Sequence, residues 1–303
     1  MDKNFATGQQ YSLQYKNSKA TITELAAALR YLEIDGVQVT ETHGDDVTAP
    51  MGLGLVLVPW PNRVDKGQWV LDGKKQQLDI TEYDRGHAIH GLLRNTGYSA
   101  VEQSDTSVTL HATVFPQHGY PFHLDTFVRY TLNGEGLTVQ HRVKNLSEQK
   151  APVAIGAHPY FRVGNTPVED LEVKIAAGTY LVADPKDMIP TEKKPVSGLL
   201  DLRQGQKVGD LDIDTGFTDI TPEGKLFKHH LIDPQGNSTT LWADETMPFV
   251  HVFTPAGFTS DKKAIAMEPM TAPANAFNSG DHLQWLEPGD TFTASWGVSY
   301  NKA

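Results

Sequence analysis

The chain has 303 residues and no cysteine, which excludes disulfides, thiolate metal ligands and a cysteine nucleophile. Its formal charge of −11 argues against nucleic acid or an anionic membrane surface as a partner, because either requires a cationic face. A hydrophobic fraction of 39% supplies core material, and 26 glycines with 18 prolines favour many short elements joined by turns over a few long helices.

The opening MDKNFATGQQYSLQYKN carries no apolar run of signal-peptide length, and the most apolar window, MGLGLVLVPW, is too short to span a bilayer. The expectation is a soluble cytoplasmic protein. ITELAAALRYLEI has the Ala and Leu content and spacing of a helix, whereas the overlapping alternation from Arg30 to Val39 reads as a strand. Further alternating strands are predicted at Ser107 to Phe115, Asp125 to Leu132, Leu137 to Val143, Leu171 to Ile175 and Thr291 to Tyr300. Turn signals separate such runs at Asp35-Gly36, Asp72-Gly73, Asn133-Gly134 and Gly236-Asn237. The clearest hairpin joins Phe127 to Leu132 with Leu137 to His141 through NGEG. This pattern predicts an all-β antiparallel sandwich or barrel. No repeat, low-complexity tract or charge block marks a linker, so one domain over residues 1–303 is expected.

Common nucleotide and nucleophile motifs are missing: no GxGxxG opens a helix, no Gly-Lys-Ser/Thr loop occurs, and there is no GxSxG elbow. Asp210, Asp212 and Asp214 suggest a calcium loop, but the glycine, Gly216, falls one place late and no glutamate closes it. His87 and His90 have a zinc-like spacing without a third ligand, so neither metal nor cofactor is expected.

Acid–base chemistry is left. His158 in IGAHPYFRVG is followed by a proline that limits backbone freedom, with Tyr160 and Phe161 able to pack on it or to offer a face to a sugar. Alone, such a histidine is more often a satisfied core residue. Glu268 follows the apolar run AIAM and precedes a proline, which would place its carboxylate at a strand end, and TAPANAFNSG beyond it has residues suited to a polar pocket. Arg63 in PWPNRVDKGQW could pair with Asp65, but Asn62 and Trp60 beside it favour a ligand-facing guanidinium offering fixed donors to vicinal hydroxyls. Trp69 and Trp242 could stack on a sugar, although an aromatic in a sandwich is more often core.

These segments, with His90-Gly91 in HAIHGLLRNTGY, occur in an order that resembles the aldose 1-epimerase (mutarotase) family, in its bacterial epimerase-like branch with Glu-Pro after the last catalytic strand. The resemblance runs nearly the whole chain, to LEPGDTFTASWGVSY. It implies a large antiparallel β-sandwich whose open face holds a sugar, with a strand, not a helix, near Ala26 and Ala27, where the family usually has glycine. It further implies His158 as general acid and Glu268 as general base, with Arg63, His90 and Asn62 binding the sugar. Asp214 in DIDTGFTDI resembles the family's hydroxyl-binding carboxylate, with Asp212 and Asp219 as neighbouring candidates. His87 stands where galactose enzymes often carry Asn, so a different sugar contact is expected there. The partner implied is a small free aldose, and the protein a monomer or homodimer. Alternatives are a sugar-6-phosphate mutarotase using Arg85 and Arg94 for the phosphate, or a non-catalytic sugar-binding protein.

Overall fold

Alternation of buried and exposed side chains produces most of the strands in the computed structural model, whose described residues are 5–258 and 263–303. In Ser107–Val114, Val108, Leu110, Ala112 and Val114 turn inward while the residues between them face outward. That period of two is what a half-buried strand imposes. The hairpin expected around NGEG is present, with Leu124–Asn133 and Gly136–Asn145 in register from Leu124 opposite Asn145 to Asn133 opposite Gly136.

These strands belong to a nine-stranded sheet ordered Ser99–Gln103, Ser107–Val114, Leu124–Asn133, Gly136–Asn145, Thr291–Asn301, Ser238–Ala243, Phe227–Ile232, Glu172–Ile175 and Gln206–Lys207. A seven-stranded sheet runs Pro190–Pro195, Ala177–Ala183, Asp214–Ile220, Phe249–Phe253, Ala266–Met270, Gly156–Ala157 and Val56–Leu57. Gln10–Tyr15, Ser18–Thr23, Leu29–Ile34 and Val37–Gln38 form a four-stranded sheet. All pairings between these strands are antiparallel. The fold is therefore the expected all-β antiparallel sandwich. One buried apolar cluster unites the three sheets, taking Leu13 and Ile22 from the four-stranded, Val128 and Val139 from the nine-stranded, and Val250 and Met267 from the seven-stranded sheet. Each such fully buried aliphatic side chain contributes about 1.5–3 kcal/mol.

The helix-like segment ITELAAALRYLEI is not helical. It ends Ser18–Thr23, turns, and begins Leu29–Ile34. Ala26 and Ala27 sit at φ 57° and 49°, in the left-handed region that usually selects glycine. Long-range bonds hold them there: the Ala26 N–H donates to the Thr96 carbonyl, and the Tyr130 hydroxyl donates to the Ala27 carbonyl at 2.6 Å. Turn chemistry elsewhere follows the sequence, with Asp35-Gly36 and Asp72-Gly73 both at positive φ as two-residue hairpin loops require. No helix of the described residues is long and apolar enough to cross a membrane.

Candidate active site

Three neighbouring strands of the seven-stranded sheet bring the titratable groups together. Asp214 opens Asp214–Ile220, His251 lies in Phe249–Phe253, and Glu268 in Ala266–Met270 is the direct cross-strand partner of His251. On the next strand, Gly156–Ala157 leads straight into His158. Residues far apart in the chain thus converge because the sheet places their strands side by side.

The His158 Nε2 atom lies 3.5 Å from Glu268 Oε1, with both side chains almost fully buried. Tyr160 stacks on the His158 ring at 5.1 Å between centroids, and its hydroxyl donates to the Met51 carbonyl at 3.0 Å. Gly52 also lies against the ring, where a Cβ would come within 3.3 Å of the imidazole. The ring is therefore fixed by packing. Tyr160 and Phe161 are both buried and present no open stacking face, Phe161 being part of the core. Burial pushes the His158 pKa down, partly offset by the Glu268 charge. Glu268 Oε2 is buried and meets no hydrogen-bond partner among the described residues.

His90 sits edge-on to His158 at 5.3 Å, and at φ 64° its backbone N–H donates to the Asn62 carbonyl. The glycine after it is obligatory, since a Cβ on Gly91 would fall 2.0 Å from the Val58 carbonyl oxygen. Burial, then the nearby charges of His158, Arg94 and Arg63, push the His90 pKa well below the usual imidazole value. A neutral imidazole can donate through one nitrogen and accept through the other, which suits a sugar hydroxyl.

Arg63 is paired with Glu82 and not with Asp65: Nε and Nη2 donate to the two Glu82 carboxylate oxygens at 2.9 and 3.0 Å. Nη2 also lies 3.6 Å from Asp214 Oδ2. Burial works against the Arg63 charge, but Glu82 and Asp214 outweigh it and raise the pKa. The Asn62 carboxamide oxygen accepts from the Arg63 backbone N–H at 2.9 Å and from Nη1 at 3.3 Å, so it supports the arginine directly. The amides of TAPANAFNSG also go to the backbone: Asn275 Oδ1 accepts from the Asp65 N–H, and the Asn275 N–H donates to the Arg63 carbonyl.

Of the three aspartates weighed from the sequence, Asp214 is the one facing this cluster, accepting from His251 Nε2 at 2.5 Å, whereas Asp212 and Asp219 are exposed. Burial opposes the Asp214 charge, yet His251 and Arg63 hold its carboxyl down at about 2. His87, three residues before His90, has both nitrogens engaged by backbone: Lys66 N–H donates to Nδ1, and Nε2–H donates to the Asp187 carbonyl. It pins the 184–188 turn and has no nitrogen left for a sugar. Trp69 is core, donating to the Gly119 carbonyl at 2.8 Å. Among the described residues no group of three or more His, Cys, Asp or Glu is arranged to hold a metal.

Sequence reasoning missed Glu82 and His251. The signal for His251 was present, since a histidine interrupts the apolar run FVHVF. Glu82 carried none, because only the turn that bridges Glu82 to His87 brings it to Arg63.

The family model for aldose 1-epimerase matches residues 9–299, and the chain belongs to that family. It is 34% identical to the uncharacterised protein YihR of Escherichia coli K12 over 285 residues, 93% of this chain and 90% of that protein. It is also 34% identical to galactose mutarotase of Rattus norvegicus over 208 residues, 65% of this chain but 56% of the rat protein. The fold matches a galactose mutarotase-like protein from Clostridium acetobutylicum with a TM-score of 0.86 at 22% identity, covering 96% of this chain and 95% of that one. A putative aldose 1-epimerase from Escherichia coli K12 gives a TM-score of 0.83 at 20% identity, covering 97% and 99%.

Proposed function

We propose that this protein is an aldose 1-epimerase that interconverts the α and β anomers of a free aldose. The observation that carries this reading is the Glu268 carboxylate, buried beside His158 with Oε2 meeting no donor among the described residues. A buried acceptor of this kind is costly unless something donates to it, and the C1 hydroxyl of a sugar is a fitting donor.

In the proposed reaction Glu268 removes the C1 hydroxyl proton while His158, as imidazolium, protonates the ring oxygen. The bond from C1 to the ring oxygen breaks and the open-chain aldehyde forms. Rotation about the C1–C2 bond followed by reclosure, with the two groups exchanging roles, gives the other anomer. Each proton transfer is typically worth about 10²–10⁴-fold. His90, Arg63 and Asp214 would hold the hydroxyls, with Asn62 steadying Arg63.

A phosphorylated sugar is supported less well. Arg85 pairs with Glu82 at 3.3 Å, and Arg94 donates to the Ile89 carbonyl at 3.4 Å. We further read the chain as one cytoplasmic domain acting as a monomer or homodimer.

Polarimetry of freshly dissolved α-sugars, across hexoses, pentoses and their 6-phosphates, tests the proposal. We expect acceleration with at least one free aldose, unchanged by a chelator. No acceleration with any sugar would favour the non-catalytic binding protein instead.

A further inference from the structure

His251 has no part in the proton transfers described above, yet it occupies the centre of the titratable cluster. Its side chain is buried, its Nε2 donates to Asp214 Oδ1, and its strand register sets it directly across from Glu268. On its other flank lies Gly216, its cross-strand partner in Asp214–Ile220, where a Cβ would approach Leu181 to 2.9 Å and His251 Nδ1 to 3.6 Å. The two oxygens of Asp214 therefore answer to different cationic groups, Oδ1 to His251 and Oδ2 to Arg63.

We propose that His251 is a positioning residue of the sugar site, fixing the Asp214 carboxylate toward the substrate and using its charge to bias proton exchange within the His158–Glu268 pair. This rests on the mutarotase reading. Two consequences follow from the chemistry. A carboxylate held at one oxygen by a fixed N–H keeps its remaining lone pairs aimed in set directions, which is what discrimination between hydroxyl configurations needs. A positive charge at position 251 makes every group facing it easier to deprotonate, and those groups are Asp214, Glu268, His158, His90 and Arg63. Burial alone would keep His251 neutral, but the hydrogen bond and charge of Asp214, with Glu268, raise its pKa above the ordinary imidazole value. The His251 ring thus holds its proton more readily than a free imidazole.

The test has two arms. In NMR titrations of the ¹⁵N-histidine-labelled protein, the His251 imidazole is expected to titrate at clearly higher pH in the wild type than in Asp214→Asn. In polarimetry, His251→Gln retains a donor for Asp214 but no charge, whereas His251→Leu retains neither. Both are expected to move the whole pH–rate profile to higher pH, because the charge is gone. KM should rise about tenfold in His251→Leu, with most of that loss recovered in His251→Gln. A profile that stays in place in His251→Gln, or equal His251 midpoints in wild type and Asp214→Asn, overturns the proposal. Absence of mutarotation in the wild type overturns the functional reading alone, and the NMR comparison then decides the case for His251.

Discussion

Glu82 grips Arg63 through both carboxylate oxygens, at 2.9 and 3.0 Å, although the two residues lie on separate segments and Arg63 bypasses Asp65, its nearest acid in sequence. Both side chains are largely buried, so removing the acid leaves the cation in a low-dielectric site with only the more distant Asp214 facing it at 3.6 Å. Glu82→Gln is expected to destabilise the protein by about 3 kcal/mol and to weaken sugar binding through loss of Arg63 orientation. Urea denaturation and ligand titration measure the two effects. Wild-type affinity in a folded Glu82→Gln protein would remove Arg63 from the sugar site.

Glu268→Gln preserves size and hydrogen bonding but cannot take a proton. Its mutarotation rate is expected to fall by about two to four orders of magnitude with sugar binding retained, and His158→Asn should behave alike. Because the two groups serve one relay, the double variant should lose far less than the product of the single losses. Polarimetric turnover near wild type in Glu268→Gln would end the proposed mechanism.

The direction of the His158 shift gives a pH dependence. Burial favours the neutral ring, and the Glu268 charge only partly offsets this, so the imidazolium form is lost below the ordinary value of 6.5 as pH rises. The kcat/KM profile is therefore expected to decline on its basic side from about pH 6.5 or lower. A rate that stays flat to about pH 9 would show that an imidazolium at 158 is not the acid.

Stability should carry a separate signature from two histidines outside the site. His141 accepts the Trp296 indole N–H at 2.9 Å, and burial lowers the pKa of both His141 and His229 to about 3. The unfolded chain takes up protons on these residues near 6.5 while the folded chain does not. Their contribution is thus complete above 6.5 and is lost progressively as pH falls toward about 3. Each accounts for about 1.4 kcal/mol per pH unit in that window. The unfolding free energy from urea denaturation between about pH 6.5 and 5 should fall less steeply in His141→Gln than in the wild type, by about that amount. Equal slopes would contradict the buried neutral state.

The strands were legible because alternation and Asp-Gly turns are local signals. ITELAAALRYLEI misled because the left-handed Ala26 and Ala27 are held by Thr96 and Tyr130, contacts that propensity does not see. The candidate site shows the same division. His158, Glu268, Arg63 and His90 stand in motifs, and Asp214 separates from Asp212 and Asp219 only once His251 and Arg63 are in place around it. Glu82 and the backbone-bound His87 depend on how one turn folds back, and nothing in their spacing announces it.

His158 and Glu268 stand on or beside neighbouring strands locked by the pairing of Gly156 with Met270, while Arg63 belongs to, and His90 directly follows, a separate short ladder in which Arg63 faces Ile89 and Val64 faces Ala88. Asp214 shares the large sheet with the proposed proton relay, whereas the Arg63 and His90 part of the proposed sugar grip rests on that separate ladder. On the proposed reading, changes in the excursion carrying Arg63, Glu82 and His90 alter the sugar contacts there while the 3.5 Å spacing of His158 and Glu268 stays anchored in the sheet. On that reading, hydroxyl contacts at Arg63 and His90 are thus free to diverge between related chains with little effect on the spacing of His158 and Glu268.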